Sequence, residues 1–246
     1  MKIVIVGGSG LIGRKLAARL RQAGHVVAIA SPSHGVDAVS GEGLDAVMQG
    51  ADAVVDVSNS PSFEAPAVQQ FFAASTRRLL QAGAAAGVRH HLALSVVGCD
   101  RLPGHPYLGA KLAQEQLIAT GGLPYTVLRA TQFFEFLETV AQASTVDGVV
   151  HAPPARMQPV AGDDVAAALA EVLMQGPQGA VLELGGPQAM PIEDLLRQVL
   201  AARGDGRRVV TDPEAGYFGS RLAPDSLTPA AGARLGRTAL ADWLRA

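Results

Sequence analysis

A single cysteine, Cys99, occurs in 246 residues, so no disulfide can form within the chain, and a reducing, cytoplasmic compartment is the expected setting. Charge of one sign is missing as well: 20 basic residues stand against 22 acidic ones, interspersed, for a net charge of -2. That balance leaves no electrostatic footprint for nucleic acid or an anionic membrane surface. Long hydrophobic runs are also absent. The N-terminal apolar run ends at Gly7, too short for a signal-peptide core, and nothing approaches a membrane span. Nor is a metal cluster expected, because His90 and His91 are neighbours on a strand and point to opposite faces. Internal repeats and low-complexity tracts are lacking too, and the length suits one large α/β domain better than two equal ones.

The most informative stretch that is present runs Lys2-Ile-Val-Ile-Val-Gly7-Gly8-Ser9-Gly10-Leu11-Ile12-Gly13-Arg14. A buried strand enters a glycine-rich turn and leaves it as an amphipathic helix. Gly7, Gly10 and Gly13 are spaced G-x-x-G-x-x-G, while Gly8, Gly10 and Gly13 satisfy G-x-G-x-x-G. Glycines of this kind serve a tight turn, a close approach of backbone to phosphate and tight helix packing, and the helix start offers free amides to an anion. The stretch therefore reads as a seat for a dinucleotide pyrophosphate, with strand before and helix after as the motif demands.

Further along, apolar strand-like runs alternate with helical patterns, as in a doubly wound parallel sheet. Strands are predicted near 2–6, 25–30, 36–39, 52–57, 89–94, 124–129 and 180–184, and helices over 11–23, 43–49, 64–86, 107–120, 132–143, 162–175 and 191–203. Gly24 and Gly87 punctuate helix ends, and Asp163 and Asp164 stand where N-caps belong. Beyond about Thr145, prolines and glycines break the chain into shorter pieces. The expectation is one Rossmann-type domain over 1–246, with about 145–246 supplying a small lobe that covers substrate at the carboxyl edge of the sheet.

Cofactor choice is read after the second strand, at Ser31-Pro32-Ser33-His34. An NAD-selective site usually places an acid there for the ribose hydroxyls, yet the first acid is Asp37. Hydroxyls of Ser31 and Ser33, with Arg14 opposite, suit a 2′-phosphate that a carboxylate would repel. NADP(H) is favoured and NAD(H) is left open.

A second constellation joins Ser95, at the end of a central strand, to Tyr107 and Lys111, four residues apart on one helix face. A lysine near a tyrosine would stabilise the phenolate and pull its pKa down toward the range of proton transfer. Lys111 could also bond the nicotinamide ribose, and Ser95 the substrate oxygen. With three tyrosines and three lysines in the chain, Tyr-x-x-x-Lys is seldom met by chance. Phe133, Phe134 and Phe136, at the carboxyl edge, are candidates for an apolar substrate wall, and Tyr217-Phe218 for a lid.

Taken together these motifs resemble the short-chain dehydrogenase/reductase superfamily, and more closely its atypical NmrA-like branch. The resemblance rests on the glycine turn, on Gly50 to Val57 leading to Ser58-Asn59, and on Ala93-Leu94-Ser95. It continues through Tyr107 to Lys111 with Glu115, Pro124 to Arg129 with Phe133-Phe134-Glu135, and Val160 to Ala166. It implies backbone contacts from Leu11 and Ile12 to the pyrophosphate, Ser58 and Asn59 along the path from adenine ribose to nicotinamide, and Glu42 near adenine. Ser95, Tyr107 and Lys111 would be the catalytic set. The turn at Val57-Ser58-Asn59-Ser60-Pro61 lacks the glycine many relatives carry.

The leading expectation is an NADP(H)-dependent oxidoreductase passing hydride to a small apolar carbonyl or quinone-like substrate. A redox-sensing NADP(H)-binding protein without turnover is the alternative, and a nucleotide-sugar epimerase or dehydratase the third. Apolar faces on the 64–86 and 107–120 helices, if exposed, would suit a homodimer.

Overall fold

A computed structural model describes residues 1–245. The chain runs β1 (Lys2–Val6), α1 (Leu11–Gln22), β2 (Val26–Ala30), α2 (Leu44–Met48), β3 (Ala53–Asp56), α3 (Ala67–Ala85), β4 (His90–Val96), α4 (Pro106–Thr120) and β5 (Tyr125–Ala130). It continues through α5 (Leu137–Ala143), β6 (Thr145–Val146), β7 (Val149–Ala152), β8 (Arg156–Met157), α6 (Gly162–Met174) and β9 (Ala180–Gly185). The last elements are β10 (Met190–Pro191), α7 (Ile192–Ala202), β11 (Arg208–Thr211), β12 (Arg234–Leu235) and α8 (Leu240–Trp243).

Seven strands form one parallel sheet in the order β12-β9-β5-β4-β3-β1-β2, flanked by helices in the Rossmann manner. Ile3 to Val6 are buried on both faces, which is why β1 reads as an unbroken apolar run rather than an alternating one. From β1 the chain moves outward to β2, then returns to lay β3 on the opposite side of β1. This reversal opens a crevice between the carboxyl ends of β1 and β3, where such sheets bind ligands. One core, of Ile3, Ile5, Leu16, Leu20, Leu169 and Val172 among others, packs α1 and α6 on the sheet. On the other face α2 and α3 cover Val4, Val6 and Val54.

Several sequence expectations are corrected. No strand forms at 36–39, so β2 is the sheet edge. Local turn chemistry wins there: the Asp37 carboxylate accepts the Val39 amide at 2.7 Å, and Gly35, Gly41 and Gly43 all adopt positive φ. The 132–143 helix splits into a 3-10 turn at Phe134–Phe136 followed by α5. Asp163 and Asp164 lie in the first turn of α6, and its N-cap is Ala161. There Glu135 takes the Gly162 amide, while Asp163 pairs with Lys15 and Asp164 accepts the Thr238 amide at 2.8 Å. Within residues 145–246, α6, β9 and β12 return to the main sheet and its core. What remains, chiefly α5, β7, α7, β11 and α8, builds a second core around Leu137, Val150, Leu195 and Leu196. The exposed positions of α3 and α4 are largely Gln69, Gln70, Arg77, Arg78, Gln81, Gln116 and small residues, with Phe71, Leu112 and Leu117 half-buried. No helix among the described residues is long and apolar enough to cross a membrane.

His90 and His91 do face opposite sides, and both are buried. The His90 Nε2 lies 3.0 Å from Thr126 Oγ1. Burial first, then the neighbouring His91, lowers its pKa to about 4, and burial lowers that of His91 too. An unfolded histidine takes up its proton near 6.5 and the folded His90 only near 4, so between these values the unfolded state binds more protons. Stability should therefore fall as the pH falls through this window, by roughly 3 kcal/mol from His90. Urea midpoints measured at neutral and mildly acid pH should diverge less for His90→Asn than for the unmutated chain; an identical pH dependence would contradict this account.

Candidate active site

The glycine turn sits at the crevice. Gly7 has φ +76°, and a Cβ on it would stand 2.6 Å from the Ser58 Cα. A Cβ on Gly13 would meet the Gly7 carbonyl oxygen at 2.4 Å, so α1 lies directly on the turn because it has a glycine there. At Gly10 the only near neighbour of such a Cβ is the Gly7 oxygen, at 3.2 Å, which leaves the outer side of the turn open. Among the described residues no side chain caps α1, its first turn holds no acid, and the amides of Leu11, Ile12 and Gly13 have no acceptor. An open cradle over unpaired amides at a helix N-terminus fits a pyrophosphate. Arg14 donates to the Ser9 carbonyl at 2.8 Å, close beside this cradle.

At the end of β2, Ser31 is buried, and its hydroxyl lies 3.1 Å from Ser33 Oγ and 2.9 Å from His34 Nδ1. His34 thus belongs to the candidate 2′-phosphate group, although sequence reasoning named only the serines and Arg14. Glu42 is exposed, and its backbone carbonyl pairs with the Asp37 amide.

Toward the middle of the sheet, Asp56 closes β3. Its Oδ1 accepts both the amide and the hydroxyl of Ser58, at 2.9 and 2.6 Å, and its Oδ2 accepts Gln114 Nε2 at 3.0 Å. Gln114 Oε1 in turn accepts from the Lys111 ammonium, which also donates to the Leu94 carbonyl at 2.8 Å and lies 4.4 Å from the centre of the Phe72 ring. Lys111 is buried, and burial pulls its pKa down to about 8 against the opposing charges of Asp56 and Glu115.

Tyr107 is on the same α4 face but has another partner: its hydroxyl donates to Asn59 Oδ1 at 3.1 Å. Its ring packs between Phe63 and Phe72, with centroids 5.2 and 5.9 Å away. Burial holds the phenol above its ordinary range, and Lys111 does not offset it. The expected depression of the tyrosine pKa by Lys111 is thereby overturned, because the ammonium is drawn to Leu94 and Gln114. Ser95 departs from expectation as well. It faces α4, is 6% exposed, and donates to Glu115 Oε1 at 2.5 Å instead of presenting its hydroxyl at the sheet edge. Glu115 is the hub of a buried network. It receives Arg129 through Nε at 2.9 Å and Nη2 at 2.7 Å, and the Cys99 thiol at 3.3 Å. Burial and Glu115 push that thiol up to about 12, so Cys99 is inert.

The phenylalanine assignments divide. Phe134 is 2% exposed and packs on Trp243 in the second core, so it is not a substrate wall; Phe133 is half-buried against the sheet core. Phe136 instead stacks with Phe218 at 5.9 Å, and Tyr217 is buried beside it. Sequence reasoning also passed over His105 and Gln132. His105-Pro106 carried a usable signal, a capping residue followed by proline at the first helical position, and it places the start of α4 at Pro106.

With this geometry in view, comparisons with known proteins are specific. The family model described as NAD(P)H-binding matches residues 7–176. A (4-alkanoyl-5-oxo-2,5-dihydrofuran-3-yl)methyl phosphate reductase of Streptomyces griseus is 28% identical, covering 90% of this chain and 79% of its own. Among solved structures, a short-chain dehydrogenase/reductase superfamily protein of Agrobacterium tumefaciens with bound NAD superposes with a TM-score of 0.71 at 20% identity, over 100% of this chain and 95% of that one. The NADPH-dependent quinone oxidoreductase QOR2 of Escherichia coli, complexed with NADPH, gives 0.63 at 23% identity over 85% and 77%. These two share the fold.

Proposed function

Because the chain belongs to the NAD(P)H-binding family, we propose that it is an NADPH-dependent reductase of a small carbonyl compound, with Tyr107 as the proton donor. The observation that carries this reading is the Tyr107 hydroxyl, at the carboxyl edge of the sheet beside Asn59 and kept protonated by its surroundings. Reduction of a carbonyl needs an acid, and Tyr107 carries its proton at neutral pH; burial makes it a weaker acid, so the proton would pass as hydride arrives and the carbonyl oxygen becomes strongly basic. The amides of Leu11, Ile12 and Gly13 would hold the pyrophosphate, and Ser31, Ser33, His34 and Arg14 the 2′-phosphate. Ser58 and Asn59 line the way toward the reacting end. When bound, the nicotinamide supplies the hydride; Tyr107 delivers the proton to the oxygen. Lys111 and Gln114 fix the α4 face relative to β3 and β4 and thereby aim Tyr107. The elements of the second core, with Tyr217 and Phe218, would cover substrate and exclude water.

One observation favours a second reading, a sensor that binds NADP(H) without turnover: Ser95 and Lys111 are both engaged by other protein groups. The Streptomyces griseus relative is named for reduction, which supports the first. NADPH oxidation, followed by its near-ultraviolet absorbance against ketones, aldehydes, quinones and acyl-butenolides, tests the two. Turnover with at least one class is the expected result; tight NADPH binding with none across the panel would favour the sensor.

A further inference from the structure

Of the buried polar side chains around Tyr107, His105 and Gln132 have no task in that mechanism, and Tyr217 neighbours both. His105 caps α4, its Nδ1 accepting the amides of Tyr107 at 3.2 Å and Leu108 at 3.4 Å. An accepting Nδ1 puts the proton on Nε2, and that N–H is buried without a partner among the described residues. Gln132, just past the carboxyl end of β5, has a buried Oε1 that is likewise without a partner among the described residues. His105 is 8% exposed, Gln132 6% and Tyr217 7%. The Tyr217 ring lies 6.3 Å from the imidazole, and its hydroxyl neighbours both the Tyr107 phenol and the Gln132 amide. A donor and an acceptor left unpaired in a buried place are costly, which a fold tolerates where a ligand completes them.

We propose that His105 Nε2–H, Gln132 Oε1 and the Tyr217 hydroxyl form a subsite for an uncharged hydroxyl group of the substrate, which makes that substrate a hydroxylated ketone or aldehyde. The inference rests on the reductase reading and narrows its substrate class. A hydroxyl answers both orphans at once: its lone pair accepts from His105 and its proton goes to Gln132. An anionic group is not matched. Burial lowers the His105 pKa, so the ring is neutral. The nearby cations are engaged elsewhere, Lys111 by Leu94 and Gln114, and Arg129 by Glu115 and Asp100. A carboxylate or phosphate would lie against Gln132 Oε1 with no charge to offset its desolvation. Tyr217 sits on a tight surface turn. Tyr217 and Ser220 exchange backbone hydrogen bonds of 2.8 and 3.0 Å across Phe218 and Gly219, both of positive φ.

The test uses NADP⁺-loaded protein, which binds a ketone without turning it over, and two probes that differ by one hydroxyl, 2-hydroxyacetophenone and acetophenone. Affinities come from ligand-observed NMR titration. The hydroxyketone should bind about tenfold tighter or more, since a site built around a hydroxyl discriminates against its absence. Gln132→Leu should bring that ratio near one, and so should His105→Asn, in which asparagine keeps the helix cap but lacks Nε2–H. NADP⁺ affinity, measured alongside, should stay unchanged and reports an intact fold. A ratio near one in the unmutated protein, no saturable binding of the hydroxyketone, or a ratio that survives in a folded Gln132→Leu variant would overturn the subsite. With NADPH in place of NADP⁺ the same probes separate this inference from its premise. A preserved binding ratio without turnover would remove the reductase and keep the subsite, whereas turnover of both ketones at equal affinity would do the reverse.

Discussion

Tyr107→Phe should lower turnover by roughly 10²- to 10³-fold with whichever carbonyl the protein reduces, while NADPH affinity stays within about twofold. The substitution removes one oxygen and nothing else. The ring keeps its packing between Phe63 and Phe72, so the fold has little to lose beyond one hydrogen bond, that to Asn59. Such a bond is worth about 1 kcal/mol to stability, whereas the proton it carries is needed in the transition state. The loss should fall on kcat and leave KM nearly unchanged, because a group used only in the transition state does not contribute to ground-state binding. Lys111→Met should behave differently. Its ammonium holds Leu94 and Gln114 rather than the phenol, so its loss disturbs the position of α4 and lowers kcat less than loss of the phenol itself. Steady-state kinetics of both variants beside the unmutated chain decide the point. Full activity in Tyr107→Phe would leave the proton to another donor, and Tyr217 would then be the nearest.

The dinucleotide end of this site was legible in the sequence because its requirements are local. Gly7 and Gly13 are dictated by contacts within the motif and with the strand beside it, and a run of buried aliphatic residues can only be an interior strand. The parallel order of the sheet followed from the alternation of elements for the same reason. The catalytic end was legible only as a set of residue types. Tyr107 and Lys111 share a helix face, as their spacing required, yet which groups they meet depends on the side chains of β3 and β4. No spacing rule announces that Asp56 and Gln114 will draw the ammonium away, or that Glu115, twenty residues on, will claim Ser95. The strand expected at 36–39 does not form because the Asp37 turn and the glycines around it outweigh the apolar Val36, Ala38 and Val39. Phe134 failed because aromatic residues after a strand fit a pocket wall and a core equally well in one dimension.

The largest stability effect should come from Glu115→Ala, about 3–5 kcal/mol, because it strips a buried guanidinium of its main partner. Arg129 meets Glu115 through two nitrogens in the bidentate manner, and both side chains are almost wholly enclosed, at 10% and 6% exposure. Burial works against the Arg129 charge, and its hydrogen bonds to Glu115 and Asp100 outweigh that in the unmutated chain; a guanidinium is so basic that it stays ionised when one partner is removed. Alanine at 115 would leave Asp100, itself 45% exposed, as the nearer compensating carboxylate, with Glu183 at 3.8 Å. The hydroxyl of Ser95 and the thiol of Cys99 would lose their shared acceptor in the same step. A double variant, Glu115→Leu with Arg129→Met, should recover most of the loss, since replacing a buried pair by apolar groups of similar volume is nearly neutral where removing one partner is not. Urea denaturation of the two variants beside the unmutated chain measures this. A cost below about 1 kcal/mol for Glu115→Ala would mean that water reaches the guanidinium when the carboxylate leaves. The consequence reaches the chemistry, because the network ties β4 and β5 to the α4 helix that carries Tyr107. Turnover should therefore fall in Glu115→Ala even at temperatures where it remains folded, and return in the double variant, in which α4 is again seated on the sheet.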